Sequence, residues 1–163
     1  VKSIDEAIEV INQSGEYSVV PIEYDENRID EDLLFEMANV WKSDTGLPMN
    51  IWLDDSDRYK KGGHWMRIKF QLNTSDKNDY SNTAPMDLNG VVRIKLPDHV
   101  KLSGRDIQSL RNWIRNNKYA LELIMSKKLS LLNIFPFLIR GGNLASDEEL
   151  NKLKAVCDAK KLK

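Results

Sequence analysis

The chain has one cysteine, Cys157, and two histidines, His64 and His99. A lone thiol closes no disulfide within the chain and builds no cysteine-rich zinc site, and a reducing, cytoplasmic setting is the expectation. Two imidazoles and one thiol leave few groups for nucleophilic or acid–base chemistry. There is no G-x-S-x-G, H-E-x-x-H or Walker sequence and no repeat long enough for a solenoid. No charged leader ahead of an apolar stretch opens the chain, so nothing points to secretion. The longest apolar run, Leu129 to Ile139, is about half the length of a membrane span and is broken by Asn133 and Pro136, so it is not a span and no membrane partner is expected. No catalytic residue, metal ligand set or cofactor is assigned. The acids Asp54, Asp55 and Asp57 open a stretch whose sixth position is Tyr59 and whose twelfth is Trp65, where a calcium-binding loop needs glycine and an acid.

What is present is ordinary globular composition: 163 residues, 41% apolar and 30% charged. A chain of this size folds as one domain, 1–163, and buries roughly 70% of the surface its unfolded form exposes. Its charge is unevenly spread. Residues 1–36 carry eleven acids and two bases, a net −9, whereas residues 37–163 carry twenty-two bases and fourteen acids, a net +8. Three parts follow: an acidic segment 1–36, a basic sheet-and-helix body 37–125, and an apolar, helical tail 126–163. The division suits either an acidic arm docked on a basic body or a basic body that binds an anionic partner.

Ser3 with Glu6 forms a capping box ahead of Ile4, Ala7, Ile8 and Ile11, which predicts a first helix ended by Gly15. Tyr17 to Tyr24 contains Pro21 and reads as an edge strand. Asp30 to Trp41 has acids first and apolar residues after, the pattern of a helix. Thr45, Gly46 and Pro48 mark a turn. Strands are expected at Met49–Leu53, His64–Leu72 and Gly90–Leu96, in an antiparallel meander. Ser103 and Asp106 cap a long helix with Ile107, Leu110, Trp113, Ile114 and Leu121 on one face; Asn116 and Asn117 are expected to kink or split it. Ser146 with Glu149 caps a last helix presenting Leu150, Leu153, Val156 and Cys157. The fold class is α+β: an antiparallel sheet of three or more strands packed against helices.

Arg-Ile-Lys occurs twice, at Arg67–Lys69 and Arg93–Lys95. Side chains alternate along a strand, so Met66, Ile68 and Phe70, with Val92, Ile94 and Leu96, point to a core while Trp65, Arg67, Lys69, Gln71, Arg93 and Lys95 share the other face. Like charges across neighbouring strands repel, and something neutralises them. Acids of the same chain are one candidate, phosphate with Trp52 and Trp65 stacking on bases is a second, and an acidic protein partner is a third. Arg111, Arg115 and Lys118 add a basic helical stripe, which taken alone is a solvated face.

His64 falls on the Met66 and Ile68 face and reads as a hydrogen-bonded, partly buried ring rather than a catalyst. His99 sits in a turn beside Asp98. Cys157 reads as packed rather than reactive. The stretch from Leu129 to Ile139 must be covered, either inside the monomer or by a second copy or partner through Leu129, Leu132, Phe135 and Phe137.

The runs M-A-N-V-W-K-S-D-T-G-L-P-M-N-I-W-L from Met37 to Leu53, H-W-M-R-I-K-F from His64, and L-S-G-R-D-I-Q-S-L-R-N-W-I-R-N-N from Leu102 resemble a family of small uncharacterised bacterial proteins over residues 37–125. The resemblance implies a bacterial or phage setting near toxin, defence or mobile-element genes. It draws attention to Thr45, Gly46, Pro48, His64, Arg67, Lys69, Trp113 and Asn117.

Three functional expectations follow. The first is a binding module whose sheet face, through Trp65, Arg67, Lys69, Arg93 and Lys95 with Arg111 and Arg115 nearby, engages nucleic acid, phosphate or an acidic protein, with residues 1–36 covering that face. The second is a small nuclease or toxin-like enzyme that uses His64 or His99 as general acid or base beside Arg67; His64 and Asn117 are the weaker site candidates. The third is an assembly protein that uses the apolar segment 129–139.

Overall fold

The structure, a computed structural model, describes residues 37–54, 67–92 and 94–162. The helix expected after Ser3, the edge strand Tyr17–Tyr24 and the acidic stretch after Asp54 lie outside them, as do His64, Trp65 and Arg93. The fold is α+β. Strands β1 (Met37–Val40), β2 (Ile51–Asp54), β3 (Arg67–Gln71) and β4 (Thr83–Asp87) form an antiparallel sheet in the order β1-β2-β3-β4. Helices α1 (Lys42–Thr45), α2 (Gly104–Met125), α3 (Leu131–Ile134) and α4 (Asp147–Lys160) accompany it, with a 3-10 turn at Phe135–Phe137.

Two expectations are corrected. Residues 37–40 are strand, not the end of a helix: Val40 sits opposite Ile51, and pairing with β2 overrides the helical pattern of the acidic run before it. The third expected strand, Gly90–Leu96, is not one. Its place beside β3 is taken by β4, which is not among the expected strands and has Pro85 in its middle. Pro85 is tolerated because β4 is the sheet's edge and has a partner on one side only. Asp87 then accepts the amides of Asn89 and Val91 on Oδ1, at 2.9 and 3.0 Å, and reverses the chain. Beyond this turn Val92, Ile94 and Leu96 are buried and Lys95 is exposed, as expected, but Val91 is buried as well, so the alternation is incomplete in a stretch without ladder pairing.

Ile51 and Leu53 of β2, Ile68 and Phe70 of β3, and Ala84 and Met86 of β4 face one core. Ile107, Leu110, Trp113, Ile114 and Leu121 of α2 close it from the other side. The capping box that starts α2 is complete: Ser103 Oγ accepts Asp106 N and Asp106 returns the bond to Ser103 N. A second apolar cluster joins Ala120 and Ile124 of α2 to Leu129, Ile134 and, from α4, Leu153 and Cys157. α4 starts at the predicted Ser146–Glu149 box.

α2 runs unbroken through Asn116 and Asn117, which use their amides on another part of the chain. Asn117 Oδ1 accepts Ile139 N at 2.8 Å and its Nδ2 donates to Ile139 O at 2.9 Å. Asn116 does the same one step on, donating to Asn143 O and accepting Ala145 N. Asn112 donates to Gly142 O at 2.8 Å. Residues 139–145 are thus held along α2 by three asparagines, and the other flank is fixed by Gly141 N donating to Thr45 O at 2.7 Å. Gly46, which caps α1 at φ +75°, and Gly142 make this fit, since a methyl on Gly142 would lie 2.4 Å from Ser109 Cβ.

Gly142→Ala is therefore expected to lower stability by about 1–3 kcal/mol through overpacking against α2. Urea unfolding checks it; a midpoint equal to that of the parent chain would refute so close an approach.

Candidate functional site

Strand alternation places Arg67, Lys69 and Gln71 on one face of the sheet, as expected, together with Trp52 opposite Lys69 and Asp87 opposite Arg67. That face is not an open docking surface. Arg67 is 2% exposed and Lys69 1%, and both are partnered. Trp52 is buried too, its ring meeting Tyr80 edge-on at 5.4 Å between centroids, so it offers no free face to a base. Buried cations of this kind serve the interior, where they persist only when paired. Gln71 shows the same inward use of polarity: Nε2 donates to Asn73 Oδ1 and Lys77 O, and Oε1 accepts Asp79 N, which fixes the β3–β4 loop. Asn50 adds Nδ2 contacts to the carbonyls of Ser75 and Asp76.

The remaining sequence candidates are dispersed. Lys95 is exposed but lies off the sheet. Arg111 is 1% exposed, so the helical stripe is not a solvated row: Arg115 is exposed, and Lys118 donates to Asn89 Oδ1 at 2.7 Å. Asn117 holds Ile139 rather than a ligand. His99 pairs with Asn82 Oδ1 at 3.0 Å instead of with Asp98. Cys157 is fully buried; burial first, then the nearby Asp158 charge, pushes its thiol up, so it stays protonated and inert. Among the described residues no three His, Cys, Asp or Glu side chains are grouped to hold a metal, and no helix is long and apolar enough to cross a membrane.

The apolar stretch divides. Leu129 and Ile134 are buried and Leu131, Phe135 and Leu138 pack against the cores, whereas Leu132 is 86% exposed and Phe137 47%. Beside Leu132 opens a groove of about 410 Å³ lined by Leu53, Ile124, Lys127, Leu129, Ser130, Leu131, Leu132 and Leu162. Its floor reaches the sheet at Leu53. Its wall is set by two anchors: Leu162 N donates to Lys128 O at 2.8 Å, and the Asn117 bracket fixes the chain at Ile139. A smaller cavity, about 110 Å³, lies between α1 and residues 135–140 and is lined in part by Trp113, Asp44 and Arg140. The indole Nε1 of Trp113 makes no hydrogen bond among the described residues and is closed to solvent.

The C-terminal wall of the groove is fastened electrostatically. Tyr119 donates its hydroxyl to Asp158 Oδ1, and Lys161 Nζ lies 3.0 Å from the same oxygen. The Tyr119 bond first, and then the Lys161 bond, hold the Asp158 carboxyl below the usual carboxylate range; Lys161 is raised first by its own bond with Tyr119 and then by the bond with Asp158. This cluster was not legible in sequence, because Tyr119 and Asp158 are thirty-nine residues apart and meet only when α4 packs on α2.

Compared with models of known protein families, with curated proteins and with solved structures, the chain finds no match.

Removing the Asn117 bracket strands the Ile139 N–H and C=O. Asn117→Ala is expected to cost about 2–4 kcal/mol, measured by urea unfolding; a change under about 0.5 kcal/mol, typical of inconsequential sites, would contradict the assigned role. Asp158 has a lowered folded pKa, so its contribution is present above the unfolded value and disappears as pH falls through the folded one. The protection of the Leu162 amide, its exchange rate taken relative to the intrinsic rate at the same pH, should therefore fall on acidification, and in Asp158→Asn already at neutral pH. Equal protection in that variant at neutral pH would show that the cluster does not hold the tail.

Proposed function

We propose that this chain is a binding module whose contact surface is the apolar groove at the end of α2, walled by Leu129–Leu132 and by Leu162. The observation that carries the reading is Leu132, a leucine left 86% exposed at the lip of a concave apolar groove of about 410 Å³. Exposed apolar groups are common singly, but here Leu162 at 57% lines the same groove. Apolar residues around a concavity, with few polar groups among them, are the form of a recognition site. The sheet cations support a phosphate-binding role less well, because the described ones, Arg67 and Lys69, are buried and partnered. The apolar segment 129–139 thus supplies the contact surface and the buried cations the interior.

The folded protein is expected to bind 8-anilinonaphthalene sulfonate at this groove, with chemical-shift changes at Ile124, Leu129 and Leu162. Leu132→Asp should weaken binding several-fold while leaving stability within about 0.5 kcal/mol, as for other surface substitutions. Absence of dye binding by the native chain, or shifts clustered elsewhere, would rule the groove out.

A further inference from the structure

We propose that Asn89 is a site of spontaneous covalent modification: its side-chain amide is lost to attack by the Gly90 nitrogen, and Lys118 assists the attack and then pairs with the carboxylate it produces. Asn89–Gly90 is the one Asn-Gly pair in the sequence. The fold places glycine there for a reason of its own. After β4 the chain reverses in a turn closed by Gly90 N donating to Asp87 O at 3.0 Å, and Gly90 takes φ +79°, a conformation that side chains disfavour. A turn that needs glycine thus leaves the nitrogen after Asn89 with no adjoining side chain to hinder its approach to Cγ. Asn89 is exposed, and its Oδ1 accepts Lys118 Nζ at 2.7 Å. Asn143 and Asn151 are also exposed, but Leu144 and Lys152 follow them and crowd the attacking nitrogen. Asn50, Asn116 and Asn117 are buried with their amides engaged.

The reaction needs only the chain and water. Gly90 N bonds to Asn89 Cγ and negative charge gathers on Oδ1; the Cγ–Nδ2 bond then breaks, and Nδ2 leaves as ammonia with the proton that Gly90 N gives up. Water opens the resulting cyclic imide at either carbonyl, to aspartate or to isoaspartate. Both reacting groups belong to adjacent residues, so no encounter is required. An ammonium already 2.7 Å from Oδ1 stands where the charge develops and stabilises it. The bond from Gly90 N to Asp87 O has to open first, which makes the turn the gate on the rate. In the aspartate product a neutral contact with Lys118 becomes an ion pair, in competition with Glu122 at 3.9 Å from the same ammonium.

The test incubates the full chain at mildly alkaline pH, folded and in urea, and follows its proteolytic peptides by mass spectrometry. In the folded chain the peptide that holds Asn89 should gain the mass of an NH2-to-OH exchange sooner than those that hold Asn143 or Asn151, and chromatography should resolve an isoaspartate form. The chain in urea, with the turn open, should react faster. Lys118→Met should slow the folded reaction several-fold and leave the rate in urea unchanged, which separates the lysine's assistance from the reactivity of any Asn-Gly pair; Lys118→Arg, which keeps a cation, should stay close to the parent rate. Urea midpoints confirm that both variants fold. An Asn89 that stays intact in the folded chain while it reacts in urea overturns the modification. A folded rate in Lys118→Met equal to or above the parent's overturns the part given to the lysine. Ammonia loss with a cross-link between the peptides of Asn89 and Lys118 overturns the proposal in favour of direct attack by the lysine.

Discussion

The hydrogen-bonded grip of Asn116 and Asn117 on residues 139–145 is the constraint on which the rest of this end of the molecule depends. After α2 ends at Met125 the chain must return to the level of Asn117 within fourteen residues, and it does so with its amides at Ile139 and Ala145 already assigned. The intervening Leu129–Leu138 has no freedom to wrap fully around the core. Some of its apolar side chains enter the two clusters and others are left facing outward. α4 then begins four residues after the last clamped carbonyl and packs on Ala120 and Ile124, which brings Tyr119 to Asp158 and lays Leu162 along the groove. A buried amide that satisfies both the N–H and the C=O of a distant residue is effective here because each group would otherwise lose its water without replacement.

The sheet illustrates the opposite use of polar residues. One side of it carries aliphatic groups into the main core; the other carries Arg67, Lys69, Gln71, Trp52 and Asp87, all buried. In such a layer, charge helps define the arrangement of strands and loops, because each polar group must find its partner as the fold forms. Gln71 and Asn50, for example, organise the β3–β4 loop from within. The basic character that stands out in the sequence is therefore spent partly inside the protein, while Lys77, Lys95, Lys101, Lys127, Lys128 and the lysines of α4 stay accessible.

The proposed contact surface takes its apolar wall from residues 129–132 and from Leu162, on a tail that the carboxylate of Asp158 helps to fasten. The site lies at the meeting of two apolar clusters rather than on the sheet, which is why no short motif marks it.

Local rules carried much of the architecture. The Ser103–Asp106 and Ser146–Glu149 boxes, the helical spacing of Ile107, Leu110, Trp113 and Ile114, and the alternation of Ile68 and Phe70 with Arg67 and Lys69 act between near neighbours, and the amino-acid order alone specifies them. Whether a face is covered is not a local property. Lys69 and Leu132 have exchanged the environments their chemistry suggests, since one is held in the interior and the other stands in water. Asn117 likewise reads as a helix weakness until Ile139 lies beside it, and Thr83–Asp87 becomes a strand because β3 offers it an edge. Residue order thus determined the capped helices and which side chains of a strand share a face; packing between distant segments decided which stretches pair as strands and which faces meet solvent, because ladder pairing, burial and hydrogen-bond partnership depend on what the rest of the chain brings alongside.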